Sequence, residues 1–351
     1  MLPRPLPLVT ADLPGLGAAL KVLPEDFEVE ELPAFPLSGE GEHLYLWIEK
    51  RGRDTPEVAR DLAQALGVAL REVGYAGLKD RQALTRQWFS APVRACPVEL
   101  SIAGVRLLGS TRHAHKLRTG VLRGNRFSVR LRGTHDAVAA QRVLEMLQQR
   151  GVPNWFGPQR FGRHSDNAVL GAALIGVGSH PLAAKAARDA FLRKLSLSAL
   201  QSELFNRLLS DRVAQRRLRE VEPGDVLLVP EDDRPFVAGD PAPLAARVAC
   251  GEALVTGPMF GPRMLAAREV PGAREAATLG EAGLSLSQFE RGGRELRGTR
   301  RPYRLGVGAI DVREEQEALL LSFDLPAGGY ATSILRELAR HCEAPEASDL
   351  E

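Results

Sequence analysis

Short runs of alternating apolar and polar residues dominate the first part of the chain, the pattern of strands buried on one face. The predicted strands are residues 27–31, 43–51, 86–92, 99–108 and 126–132. One segment has helical spacing instead. It starts at Thr55, the expected N-cap, has Pro56 at the first helical position and stops before Gly67. A second helix is predicted over 135–150, so this part combines a sheet with a few helices.

The pattern changes after the segment 151–167. Helical segments rich in Ala and Leu continue to about residue 218, and a strand at 224–229 precedes a Pro- and Gly-rich stretch. Strand patterns return at 303–313 and 317–325, before a last helix that begins near Ala331. These late strands have no obvious local partners, so we expect them to return to the first sheet around an inserted domain. The predicted fold class is α+β.

The composition is that of a globular protein that works in water. The chain has 351 residues, enough for two domains, with 44% hydrophobic and 26% charged residues. We find no apolar run long enough to cross a bilayer, and prolines interrupt the first residues, where a signal peptide would be apolar. We therefore expect a cytosolic protein. The three cysteines are far apart and no His/Cys ligand group is visible, so no metal is expected.

Charge is segregated although the net charge is only +2. Residues 106–132 contain eight Lys or Arg and no acid, and residues 291–304 contain six arginines and one glutamate. Arginine suits bidentate phosphate contacts and stacking on bases. Both tracts are therefore predicted to bind a polyanion such as RNA; the alternative is an ordinary solvated face.

The segment GYAGLKDRQALTRQWFS (residues 74–90) contains the most informative candidate residue. Asp80 stands between Lys79 and Arg81, in a loop that follows Gly74 and Gly77. Taken alone, Asp80 is best interpreted as a turn-capping residue, a common role of aspartate in loops. The alternative is a reactive carboxylate, and the choice depends on the rest of the chain.

Five stretches together resemble the TruD-type tRNA pseudouridine synthases in order and spacing. Besides residues 74–90, they are KVLPEDFEVEE (21–31), RGNRF (123–127), GVPNWFGPQRFG (151–162) and LPAGGYATSILREL (325–338). The resemblance implies a pseudouridine-synthase catalytic domain with a mixed, largely antiparallel sheet, interrupted by a family-specific α/β insertion domain. The expected division is 1–154 for the first part of the catalytic domain, 155–305 for the insertion and 306–351 for the C-terminal return.

The resemblance also implies a reaction, the isomerisation of uridine 13 in certain tRNAs, with Asp80 as the catalytic aspartate. The N1–C1′ bond breaks and a C5–C1′ bond forms, so nothing is oxidised, no group leaves and no cofactor is expected. A carboxylate either attacks C1′ or takes the 2′ proton, and the sequence leaves both routes open. Either route needs an ionised Asp80, which a nearby cation favours. Lys21, at the family's conserved lysine, is the expected ion-pair partner.

Three further residues are expected to hold the flipped uracil, as enzymes that act on a base commonly do. Phe127 matches the family's stacking position, although its place in an alternating strand, taken alone, favours a core residue. Asn125 is expected to hydrogen-bond the uracil edge or to order the loop. Tyr330 is expected to form a second wall of the pocket, where relatives often have Phe.

Four residues are expected to contact RNA less directly. Glu25 is predicted to position Lys21 or RNA, with a solvated surface glutamate as the alternative. Lys79 is expected to point towards phosphate. Arg160 and Phe161 lie at the predicted domain junction, where ligand clefts commonly form, although hinge packing is as good an interpretation.

Two other classes of protein remain open at this stage. A non-catalytic RNA-binding protein would share the basic strands but would not need Lys21, Asp80 and Asn125 together. A nucleobase glycosylase could use the same aspartate and aromatic residue, but it would release free uracil. The preferred interpretation is a monomeric, metal-free enzyme that acts on tRNA.

Overall fold

A computed structural model describes residues 5–93, 100–230, 232–316 and 318–340. Its main sheet has eight strands in the order β13-β14-β6-β1-β4-β2-β5, with β3 paired to β4. All these pairings are antiparallel except that of β1 with β4. The strands are β1 (Phe27–Pro33), β2 (His43–Arg51), β3 (Gly74–Tyr75), β4 (Leu84–Ala91), β5 (Val105–His113), β6 (Leu122–Arg132), β13 (Asp311–Glu315) and β14 (Ala318–Pro326).

A second sheet has four strands in the order β11-β10-β8-β9, and β7 and β12 form a small separate pair. These strands are β7 (Val152–Pro153), β8 (Val226–Val229), β9 (Asp232–Val237), β10 (Leu254–Met259), β11 (Thr299–Pro302) and β12 (Arg304–Leu305). The α-helices are α1 (Thr55–Leu66), α2 (Ala137–Arg150), α3 (Asn167–Leu174), α4 (Ala183–Arg188), α5 (Ala190–Ala214), α6 (Ala242–Cys250), α7 (Glu269–Glu281) and α8 (Thr332–Ala339).

Two groups of helices cover the same face of the main sheet. Leu46 and Ile48 of β2 belong to the apolar cluster of α1. Val29 of β1 and Val129 of β6 belong to a larger cluster that includes α2 and α8. The strand registers put these residues on one face, because Ile48 pairs with Gln87 and Val29 pairs with Thr85. Gln87 and Thr85 are buried polar residues, so this face becomes polar between the two helix groups.

The strand predictions in the first part are largely confirmed, and the late strand predicted at 317–325 returns to the main sheet as β14. The strand predicted at 303–313 was wrong in extent: β12 pairs with β7 outside the main sheet, and only β13 joins it. β2 has the predicted bounds, and β14 pairs with β6 along its whole length. The predicted strand at 99–108 was wrong in position, since β5 is Val105–His113; residues 94–99 lie outside the described part. The Pro- and Gly-rich stretch, for which no elements were predicted, contains strands and helices from 232 to 281. The domain boundaries stay predictions.

The start of α1 differs from the prediction in a way that matters for the site. Asp54, not Thr55, is the N-cap, because Glu57 returns a hydrogen bond to the Asp54 amide in a capping box. Gly67 ends the helix at φ +66°, as expected for a left-handed cap. The Thr55 hydroxyl is therefore free for other partners: it donates to Gln87 Oε1 at 2.9 Å and accepts from the Lys79 amide at 3.0 Å.

Candidate active site

Asp80 and Lys21 form an ion pair in the polar interval between the two helix groups. Lys21 Nζ donates to Asp80 Oδ2, and the amide of Gln82 donates to Asp80 Oδ1 at 3.3 Å. The Asp80 side chain is 29% exposed and that of Lys21 13%, so the carboxylate is the part that a ligand can reach. The ion pair expected from the sequence is present; the catalytic roles of its two members stay predictions.

Lys21 is held in an unfavourable backbone conformation. Its φ of +55° lies in the left-handed region, which costs a non-glycine residue about 1 kcal/mol or more. The flanking contacts explain how the fold maintains it. Ala19 exchanges two backbone hydrogen bonds with Arg132 of β6, at 2.9 and 3.0 Å. Asp26, fully buried, accepts two bonds from the Arg132 guanidinium at 2.8 and 2.7 Å. Segment 19–26 is thus fixed at both ends. The unfavourable backbone conformation within it is that of Lys21, which pairs with Asp80.

Lys50 supports the backbone of the Asp80 loop from inside the protein. Its side chain has no exposed surface, and its ammonium donates to the carbonyl oxygens of Arg53 at 2.6 Å, Asp80 at 3.0 Å and Lys79 at 3.4 Å. Burial lowers the pKa of Lys50 to about 8, although the carboxylates of Asp54 and Asp80 oppose the shift. A buried cation therefore lies directly behind the loop that presents the Asp80 carboxylate.

Lys50 was not identified from the sequence, although the sequence contains a signal for it. Residues 44, 46, 48 and 50 of HLYLWIEKR share one face of the strand, and the first three are apolar. A lysine that continues an apolar face is either bent out to solvent or buried with partners. The oxygens that Lys50 meets belong to backbone from other segments, so no local pattern could have named them.

The expectation that Lys79 points towards phosphate was wrong. Its ammonium is buried, 2.9 Å from Glu31 Oε2 and 2.8 Å from Asn125 Oδ1. Burial raises the pKa of Glu31, and the Lys79 charge opposes that shift. The reason for the error is topological: Glu31 of β1 pairs with Asn125 of β6, and the loop before β4 passes over this pair. Asn125 thus contacts the Asp80 loop through Lys79, which matches the predicted loop-ordering alternative.

Two other predicted residues have different surroundings from those expected. Glu25 is exposed and pairs with Arg51 at 2.5 Å, so it does not position Lys21. Phe127 is 6% exposed and packs between Phe27 at 5.9 Å and Phe323 at 5.4 Å. Phe127 is thus a core residue, and its stacking on uracil stays a prediction that requires an open ring face. Lys21 Nζ lies 4.3 Å from the Phe27 ring centroid, which connects this aromatic group to the ion pair.

Arg160, Phe161 and Tyr330 form a second group, at the junction between the main sheet and the following helices. Phe161 is buried, which agrees with hinge packing, whereas Arg160 and Tyr330 are half-buried. Phe156 joins the latter two: the Arg160 guanidinium lies 5.2 Å from its ring centroid and the Tyr330 ring 6.4 Å from it. Arg301 lies 4.1 Å from the same ring. Their roles in binding a substrate stay predictions.

Part of the predicted basic surface is neutralised by acids. In the tract 106–132, Arg106 pairs with Glu49, and four other acids on neighbouring strands and loops meet the arginines of β6. Those pairs are Arg126–Asp324, Arg130–Glu28, Arg130–Glu315 and Arg132–Asp26. In the tract 291–304, Arg300 is buried against Glu275 at 2.8 Å, and Arg304 is buried against the Val248 carbonyl. The phosphate-binding prediction was wrong for these residues, because the fold supplies acids from distant segments to all of them except Arg304, which is buried against a carbonyl instead. Exposed arginines such as Arg118 and Arg123 remain candidates.

Two features are absent from the described residues. No group of three or more His, Cys, Asp or Glu side chains in that part of the chain is arranged to hold a metal ion. Among the described helices, none combines the length and the apolar character that crossing a membrane requires.

The comparison with known proteins identifies the family. The profile of tRNA pseudouridine synthase D (TruD) matches residues 6–179 and 178–338. The chain belongs to this family. The tRNA pseudouridine synthase D of Anaeromyxobacter dehalogenans (strain 2CP-C) is 48% identical over 346 residues, covering 97% of this chain and 99% of the relative. That of Thermus thermophilus is 42% identical over 357 residues, covering 99% of this chain and 97% of the relative.

The TruD fold is confirmed by a solved structure. A crystal structure from Methanosarcina mazei, assigned to tRNA pseudouridine synthase D, superimposes with a TM-score of 0.76 and covers 96% of both chains. Its sequence identity is 24%, so this likeness supports the fold alone. The predicted α+β class, with a mixed and largely antiparallel sheet, is therefore confirmed.

Proposed function

We propose that this protein isomerises uridine to pseudouridine in tRNA, at position 13, with Asp80 as the catalytic carboxylate. The observation that carries the proposal is the Lys21–Asp80 ion pair, which is partly open to solvent and built from two TruD-like motifs in a chain of that family. Asp80 also makes a turn-capping contact, since its Oδ1 accepts from the Gln82 amide, but capping alone would not need a strained lysine opposite the carboxylate.

Asp80 would act as an anion at the sugar. Lys21 donates to one oxygen of the Asp80 carboxylate, and the other oxygen, which accepts from the Gln82 amide at 3.3 Å, keeps a lone pair for a reacting group. That oxygen either attacks C1′ or removes the proton on C2′, and both routes remain part of the proposal. The isomerisation leaves the composition and oxidation level of the nucleotide unchanged, since C5 releases a proton as it bonds C1′ and N1 gains one, so the proposed chemistry needs no cofactor.

The loop is prepared for this task before RNA binds. Thr55 holds the Lys79 amide, Gln87 donates to the Gly77 carbonyl at 3.1 Å, and Lys50 holds the Asp80 carbonyl. Fixing a reacting group in position contributes to catalysis because a displacement of about 1 Å can lower a rate about 10²-fold. We infer that Phe127, Asn125 and Tyr330 contribute to the uracil pocket.

The proposed substrate is unmodified tRNA, and the proposed state is a cytosolic monomer. The test is incubation of the purified protein with a tRNA transcript, followed by mapping of pseudouridine by primer extension. We expect modification at position 13 and none in a matched transcript with cytidine there. Modification elsewhere, or release of free uracil, would contradict the proposal; the latter would indicate a glycosylase.

A further inference from the structure

Two arginines at the junction share one aromatic ring and have no acid opposite them. The Arg301 guanidinium lies 4.1 Å from the centroid of Phe156, and that of Arg160 lies 5.2 Å from the same centroid. Neither forms an ion pair with a carboxylate of the described residues, unlike the neighbouring Arg300, which pairs with Glu275. The Phe156 ring therefore contacts two guanidinium groups, and neither of them is neutralised by a carboxylate of the described residues.

The hydrogen bonding of the two side chains is incomplete. The Nε atoms of both Arg160 and Arg301 are buried and have no partner in the part of the chain that the structure describes. One terminal nitrogen of Arg301 donates to Asn154 Oδ1 and to the Gly328 carbonyl, the latter at 3.1 Å. A guanidinium has five N–H donors, and buried ones are normally satisfied, so both groups retain unused donor capacity.

The electrostatics at the junction are unfavourable for the free protein. Burial lowers the pKa of Arg301, the nearby Tyr330 opposes this, and the charge of Arg160 lowers it further. Two like charges in a desolvated place repel each other, and an anion that binds both would remove the repulsion. Arginine forks fit the oxygens of a phosphate in a bidentate manner and stack on aromatic faces at the same time.

We propose that Arg160 and Arg301 form a binding site for one phosphodiester of the substrate RNA. This inference rests on the proposed function, since it takes the RNA as the source of the anion. The site joins two parts of the chain, because Arg301 lies on β11 of the second sheet and contacts Gly328 in the loop that carries Tyr330. A phosphate bound there would fix the RNA backbone against the loop that the TruD-like motif LPAGGYATS contributes to the predicted uracil pocket.

The test compares Arg160→Gln, Arg301→Lys and the control Arg142→Gln. Arg142 lies on α2, is exposed and has no ion pair among the described residues, so its replacement removes one charge without touching the junction. The dissociation constant of the tRNA transcript is measured from about 50 to about 300 mM KCl, a range over which phosphate contacts weaken strongly, with kcat and KM at one salt concentration. Melting of each free protein reports on folding.

We expect Arg160→Gln to weaken tRNA binding about tenfold at low salt and to reduce the salt slope by about 1, as loss of one phosphate contact does. KM should rise while kcat changes little. Arg301→Lys keeps the charge but loses the bidentate geometry of the guanidinium. The affinity for tRNA should therefore fall, while its dependence on salt concentration stays nearly unchanged. Arg142→Gln should match the wild type.

Equal affinities and slopes for Arg160→Gln and Arg142→Gln would overturn the inference, and so would a fall in melting temperature without any loss of affinity. If inorganic phosphate stabilised the wild type but the variants bound tRNA normally, the site would take free phosphate, and the RNA assignment would be wrong. Failure of the proposed function is separate: it appears as wild-type protein that binds tRNA but forms no pseudouridine.

Discussion

Replacement of Lys50 by methionine should lower turnover much more than it lowers the stability of the protein, because it removes the hydrogen bonds that support the Asp80 loop. Methionine fills a similar volume but cannot donate to the carbonyl oxygens of Arg53, Lys79 and Asp80. The bonds to Arg53 and Asp80 are 2.6 and 3.0 Å long, and each buried carbonyl left without a donor costs about 1–3 kcal/mol. The change also removes a buried charge. The pKa of Lys50 falls from 10.5 to about 8, which corresponds to a penalty of about 3 kcal/mol for the charged form.

The loss of the hydrogen bonds and the removal of the buried charge nearly cancel in the free energy of unfolding. They do not cancel in turnover, which depends on the position of the Asp80 loop. We expect a net loss of about 0–3 kcal/mol in the free energy of unfolding, because relief of the buried charge offsets the lost bonds. The Asp80 backbone, however, loses its only lysine contact among the described residues. Turnover should fall about 10²-fold or more, with tRNA affinity changed less than about threefold. A lysine outside the loop, Lys116, donates to the Arg71 carbonyl, and Lys116→Met is the matched control.

The pH dependence of stability gives a second measurement on the same variant. Between pH 8 and 10.5 an unfolded chain keeps the Lys50 proton that the native protein has lost. The free energy of unfolding of the wild type should therefore rise with pH in this window, relative to Lys50→Met, by up to about 3 kcal/mol. The charged neighbours Asp54, Asp80, Lys79 and Glu57 are the same in both proteins, so the difference isolates Lys50.

The reasoning would be refuted by normal turnover of Lys50→Met, within about threefold of the wild type, in protein that is folded. It would also be refuted if Lys116→Met lost as much activity as Lys50→Met. Turnover is measured with saturating tRNA transcript, affinity by filter binding and stability by urea unfolding.

The remaining predictions concern the neighbouring charges, the surface and metal. Glu31→Gln and Lys79→Met should each destabilise the protein by about 3–5 kcal/mol, since each leaves a buried partner unpaired, and the double variant should cost less than their sum; additive urea-unfolding energies would contradict this. Arg123→Gln should reduce the salt slope of tRNA binding by about 1, whereas Arg126→Gln, whose arginine already pairs with Asp324, should not; equal slopes would exclude Arg123 as a phosphate contact. Activity should survive EDTA once the tRNA is refolded with a polyamine, and a complete loss reversed only by Zn²⁺ would show a metal requirement.

The elements that the sequence predicted well are those with strong local patterns. Alternation in HLYLWIEKR fixes β2 with its observed bounds, and the spacing before Gly67 fixes the extent of α1. Elements in the Pro- and Gly-rich stretch, such as β10, were missed because turn residues interrupt their short periodic runs. The ion pair of Lys21 and Asp80 was predictable only through the family's motifs.

Partners that come from distant segments could not be predicted from local patterns. Arg132 meets Asp26 across 106 positions, and Arg300 meets Glu275 from another element. A tract of arginines shows where positive charge lies along the chain, but the fold decides which of these charges meet acids. The same holds for Lys79, whose partner Glu31 lies on a strand that is remote in sequence.

The most direct test of the account is the turnover of Asp80→Asn. This change keeps size and hydrogen bonding but removes the negative charge that attack on C1′ or proton removal needs. We predict a loss of at least about 10⁴ in tritium release from tRNA labelled at C5 of uridine, with tRNA affinity and melting temperature close to those of the wild type. Substantial turnover by folded Asp80→Asn would contradict the assignment of Asp80 as the catalytic residue.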